Sequence, residues 1–61
     1  MRHLTMKDRA EMRYMGYHYR VFFRRPNGVP FYKDFTTTEE MNDFIFRAEK
    51  NGCTSEDRLE V

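Results

Sequence analysis

Tyr17-His18-Tyr19-Arg20-Val21-Phe22-Phe23-Arg24-Arg25-Pro26-Asn27-Gly28-Val29-Pro30-Phe31-Tyr32-Lys33-Asp34-Phe35 decides the fold of this chain. Two runs rich in aromatic and β-branched residues flank a Pro-Asn-Gly turn, which predicts an antiparallel hairpin with strands 17–25 and 29–36. Pro26 suits the first central position of a type I turn, Asn27 the second, and Gly28 the left-handed position that follows. That is a three-residue loop with a glycine bulge. A two-residue Asn27-Gly28 loop is the competitor, and side-chain faces choose between the two. The longer loop sets Tyr19, Val21, Phe23, Phe31, Lys33 and Phe35 on one face, apolar but for the lysine. It sets His18, Arg20, Phe22, Arg24, Pro30, Tyr32, Asp34 and Thr36 on the other. The shorter loop would mix the faces. The longer loop also puts Pro30 at a non-hydrogen-bonded pair, where its missing donor costs no rung.

A helix follows, from about 38 to 51. Thr37-x-x-Glu40 is a capping box and Thr36-x-x-Glu39 a second candidate. Acids at 39, 40 and 43 sit at the positive end of the helix dipole, with Arg47 and Lys50 at the other end. Met41, Phe44, Ile45 and Ala48 form the stripe that buries against the hairpin, and Asn51-Gly52 ends the helix. Upstream, Thr5-x-x-Asp8 resembles a cap. Residues 6–15 are mostly good helix formers running into Gly16, which predicts a short N-terminal helix. A first strand over Glu11–Met15 is the alternative. Residues 53–61 are polar and read as a flexible tail, in which Ser55 could cap one short turn. The fold class is α+β, a small antiparallel hairpin or three-stranded sheet packed on one helix. It divides into a segment 1–16, a hairpin-helix core 17–52 and the tail.

At 61 residues the chain holds one small domain with a marginal core. Six Phe and four Tyr outnumber the aliphatics, so rings and methionines must build that core. No apolar run approaches the ~20 residues of a spanning helix, and the N-terminus has no secretory pattern. The expectation is a cytoplasmic protein that engages no membrane. One cysteine, Cys53, excludes an internal disulfide. His3 and His18 have no partner at metal-ligand spacing, and the three glycines are isolated turn residues. No metal, cofactor or enzymatic activity is expected.

Charge is divided unevenly. Residues 1–35 carry eight basic residues and three acids, whereas 36–61 carry three basic residues and seven acids. The bland reading is that the halves neutralise each other across the fold. The sharper one is that the outward face of the hairpin recruits an anion. That face interleaves His18, Arg20, Phe22, Arg24 and Tyr32, with Lys33 close by. Arginines reach phosphates and guanine edges, and rings stack on bases. The competing reading has the N-terminal helix cover this face with Met6, Met12 and Met15, leaving Phe22 and Tyr32 as a second small core.

Tyr19-Arg20-Val21-Phe22-Phe23-Arg24-Arg25-Pro26-Asn27-Gly28, then Phe31-Tyr32-Lys33-Asp34-Phe35-Thr36-Thr37-Thr38-Glu39-Glu40 and Phe44-Ile45, resembles the AP2-like arm-binding N-terminal domain of phage tyrosine integrases. The resemblance covers about residues 17–52. It implies a sheet backed by one helix, with the sheet entering the DNA major groove through Arg20, Phe22, Arg24, Tyr32 and Lys33. The function expected is a small non-enzymatic nucleic-acid-binding module, for duplex DNA first, serving a phage or mobile element. The alternative is a regulator or inhibitor of a host or phage protein, working through Phe22, Tyr32, Glu39, Glu40, Asp43 and Phe46. Phe46 lies off the buried stripe of its helix. Cover by Leu4, Met6 or Met12 is expected, with homodimer formation or a partner protein as the other ways to shelter it.

Overall fold

The computed structural model describes residues 3–61. Its elements are α1 (Met6–Met15), β1 (Tyr19–Arg24), β2 (Pro30–Phe35), α2 (Thr38–Lys50) and β3 (Thr54–Glu60). The hairpin has the register of the three-residue loop, with Tyr19 opposite Phe35, Phe22 opposite Tyr32 and Arg24 opposite Pro30. Gly28 N–H donates to Arg25 C=O at 2.8 Å and Arg25 N–H donates to Val29 C=O at 2.9 Å, closing the turn. Gly28 sits at φ 89°, where any side chain would be strained.

α2 packs on the face of Val21, Phe23 and Phe35 through Met41 and Ala48, with Phe44 and Ile45 alongside. Phe23, 0% exposed, is the keystone. Its ring stacks on Phe31 at 5.1 Å and meets Phe44 edge-on at 5.4 Å. Thr37 caps α2 by accepting from Glu40 N–H at 3.2 Å. The Glu40 carboxylate turns to the Thr36 hydroxyl instead, at 3.0 Å, so only half of the expected capping box forms.

Residues 54–60, expected as part of a flexible tail, are strand β3. It pairs antiparallel with β1, Tyr19 opposite Glu60 and Arg20 opposite Leu59, and the sheet order is β2-β1-β3. The segment has no apolar alternation of its own, so nothing in its side chains announces a strand. What recruits it is the second edge of β1, whose backbone donors and acceptors need partners beside a buried core. The end of α2 aims it there. Gly52 at φ 88° reverses the chain, while Cys53 N–H and Gly52 N–H bond back to Ala48 and Glu49 C=O. The third strand thus comes from the C-terminal side of the hairpin, and Glu11–Met15 is helix.

α1 lies across the other face of the sheet. Met12 and Leu4 are buried, outside the α2 cluster, and Asp8 comes within 3.9 Å of Arg20. Of the three methionines expected to cover this face only Met12 does so, joined by Leu4, and Phe22 and Tyr32 are not a second small core, since Tyr32 is 54% exposed. Met6 and Met15 are exposed: helical rotation carries Met6 about 120° off the Met12 side, and Met15, nearer that side, stands at the open C-terminal end of α1 before Gly16. With α1 and α2 on opposite faces, the N-terminal segment does not shelter Phe46, which is 66% exposed.

Candidate functional site

The hairpin positions the basic-aromatic residues by strand alternation, and the structure then divides them. Arg20 is 8% exposed. Its Nε donates to Asp34 Oδ1 at 2.7 Å, and Nη2 donates to Oδ2 at 3.0 Å. Nη1 faces Asp8 at 3.9 Å, and the guanidinium lies over the Tyr32 ring at 4.2 Å. The hydrogen bonds it donates to Asp34 raise the Arg20 pKa further, fixing the charge. A side chain expected to stand outside the core is thus a buried cation, bonded through Nε and Nη2 to Asp34. Asp34 faces it across the strands.

Arg24 is half-exposed and also held. Its Nε donates to Glu56 at 3.1 Å and Nη1 donates to Gly28 C=O at 2.8 Å. The Glu56 contact depends on β3, where a bulge opposite Phe22 and Phe23 leaves Glu56 as the extra residue. Phe22 and Tyr32 form a tilted ring pair at 5.9 Å, with Tyr32 54% exposed. His18 is exposed at the far end of the strand, its ring edge-on to Tyr19 at 6.5 Å. Lys33 is on the opposite face, its ammonium 5.3 Å from the Phe44 ring. The face that the integrase resemblance turns toward DNA is the one that α1 lies on.

The alternative set is split as well. Glu39, Glu40, Asp43 and Phe46 share α2, where Thr37, Glu39, Glu40 and Asp43 line a shallow hollow. Asp43 pairs with Arg47 at 3.1 Å, and the Lys50 ammonium stands 6.0 Å over the Phe46 ring. Phe22 and Tyr32 lie across the sheet from them.

One surface escaped the sequence reading. Met6, Ala10 and Tyr14 recur every four residues along the solvent side of α1. Met6 is 88%, Tyr14 89% and Met15 63% exposed. Ala10, Glu11, Tyr14 and Met15 line a shallow, mostly apolar hollow. The i, i+4, i+8 spacing is present in the sequence, but the expectation that Met6 and Met15 join Met12 in covering the sheet hides it. Among the described residues no group of His, Cys, Asp and Glu could hold a metal ion, and no helix is long and apolar enough to cross a membrane. No protein-family model, no curated protein and no solved structure matches the chain.

Proposed function

We propose that this chain is a non-enzymatic protein-binding module that works through the outer faces of its two helices. The observation that supports this most is where the large apolar side chains lie. Met6, Tyr14 and Met15 on α1 and Phe46 on α2 are exposed, and the core is complete without them. A single exposed ring needs no explanation, but Tyr14 and Met15 lie side by side and line one mostly apolar hollow with Ala10 and Glu11. Tyr, Phe and Met are the residue types that interface centres favour. The acids beside Phe46 would select a partner more than hold it. The test is a photo-cross-linking residue placed at 14 or at 46 in cells that make the protein, with the hairpin tip position 27 as control. The expected result is a protein adduct from 14 or 46 and none from 27. No protein adduct from either helix refutes the reading.

A second reading, nucleic-acid binding by a phage or mobile-element accessory protein, is favoured by the rim of the hairpin that α1 leaves open. Tyr32 is exposed there beside Phe22, and Arg24 and Arg25 flank the turn. Titration with duplex DNA, single-stranded DNA and RNA over a salt series tests it. Arg24→Ala should lower the salt slope by about one per lost phosphate contact. Unchanged affinity and slope remove this rim from the binding surface.

A further inference from the structure

Because α1 and α2 cover opposite faces of the sheet, their outer faces point in opposite directions, and they differ in kind. On α1 the stripe Met6, Ala10, Tyr14 has the exposed cations Lys7 and Arg13 on its two flanks, with Glu11 at the rim of the hollow beside Tyr14 and Met15. On α2, helical rotation puts the exposed acids Glu39 and Glu49 on the solvent side with Phe46, and Lys50 stands over its ring. One face is an apolar stripe flanked by cations, with its hollow on the Lys7 and Glu11 side, and the other a projecting ring between acids.

We propose that these two faces bind each other between copies of this chain. The α2 face of one copy docks head to tail on the α1 face of the next. The inference rests on the protein-binding reading and names its partner. The small Ala10 leaves room for the Phe46 ring between Tyr14 and Met15. In that arrangement Lys50 approaches Glu11 of the next copy, while an acid of α2 approaches Lys7. Pairing of like faces is the poorer match. α1 on α1 sets Arg13 and its neighbours against their own copies, and α2 on α2 sets acids against acids.

Charge pairing inside the molecule does not remove this asymmetry. Among the described residues Arg20 pairs with Asp34 and with Asp8 of α1, Arg24 with Glu56, and Asp43 with Arg47 along α2. These pairs do not use Lys7 and Arg13 of α1 or Glu39 and Glu49 of α2. The uneven charge of the two halves of the sequence then serves assembly. A contact joining unlike surfaces on opposite sides of a molecule does not close into a symmetric pair, so it adds copies in a row. Two patches of a few side chains each fall below the area of a standard interface, so association is weak, on the order of 0.1–1 mM.

Sedimentation velocity from about 20 μM to about 2 mM tests this. The expected result is a mean sedimentation coefficient that rises with concentration without stopping at a dimer, and that falls back in high salt. Tyr14→Ser and Phe46→Ser should each weaken self-association at least about tenfold, since each removes one half of the contact. Both side chains are exposed, so both variants should melt like the parent. Mixed together, the two variants should form a one-to-one pair that goes no further, because each retains the face that the other lacks. A parent that stays monomeric over the whole range overturns the proposal. So does a Phe46→Ser variant that still self-associates like the parent, or a mixture that does not pair. A monomeric parent whose positions 14 or 46 still cross-link to another protein would remove the second copy as partner and leave the protein-binding reading standing. Absence of both would remove the two together.

Discussion

Replacing Arg20 by Ala should cost this protein much of its stability, although an arginine on an outward strand face would ordinarily be replaceable. The variant loses two charge-assisted bonds to Asp34, at 2.7 and 3.0 Å. It also loses the packing of the guanidinium over Tyr32 at 4.2 Å. It leaves Asp34, with a side chain 17% exposed, short of its cation. Hydrogen bonds to charged groups are worth about 1.5–3 kcal/mol each way, and breaking a buried pair costs about 3–5 kcal/mol. Asp34 keeps some water, so about 2–3 kcal/mol is expected. A domain of this size has roughly 3–5 kcal/mol in total. At about 4–8 °C per kcal/mol the melting temperature should fall by about 10–20 °C. Urea denaturation of Arg20→Ala, Asp34→Ala and the double variant gives the coupling energy, expected at about 1–3 kcal/mol, with the double variant less impaired than the two singles summed. A single variant that unfolds at the parent's midpoint, or a coupling near zero, would refute the assignment of Arg20 to the structure.

Phe23→Ala removes the ring between Phe31 and Phe44 and should cost about 3–5 kcal/mol, leaving the chain largely unfolded by circular dichroism at room temperature. Deleting residues 54–61 should have a comparable effect, because it strips the second edge of β1 beside that core; an unchanged far-ultraviolet spectrum and melt would show that β3 is dispensable. Asp8 titrates below its ordinary value near 3.8, first because of its hydrogen bond with the Thr5 side chain and next because of that with the Thr5 backbone. A depressed carboxylate stabilises the folded form above the unfolded-state pKa, and that contribution is lost as pH falls through the folded-state pKa. Amide exchange in α1 should therefore accelerate in acid before that of the sheet, and Asp8→Asn should abolish this difference; an identical acid response in Asp8→Asn would exclude the capping pair as its source.

The hairpin, its register and α2 were legible in the sequence because their causes are local. Pro26-Asn27-Gly28 chooses the loop, the loop sets the register, and a period of two then sorts Tyr19, Val21 and Phe23 from Arg20 and Phe22. The helix cap at Thr37 and the stop at Gly52 are equally short-range, as are Thr5, Asp8 and Gly16 around α1. β3 was not legible. Thr54–Glu60 carries one large apolar residue, Leu59, and becomes a strand because the free edge of β1 lies within reach of the turn at Gly52. The fate of the basic-aromatic face was also out of reach. Alternation puts Arg20 and Asp34 on one face and even opposite each other. Whether that face meets water or a helix depends on which side of the sheet α1 takes, and Leu4 and Met12 settle this by burying themselves there. That one choice closes Arg20 into the structure and turns Met6, Tyr14 and Met15 outward. It also leaves Phe46 uncovered on the far side. Local chemistry determines which elements form; the packing of α1 and β3 on a finished hairpin determines which of their side chains are left to bind anything else.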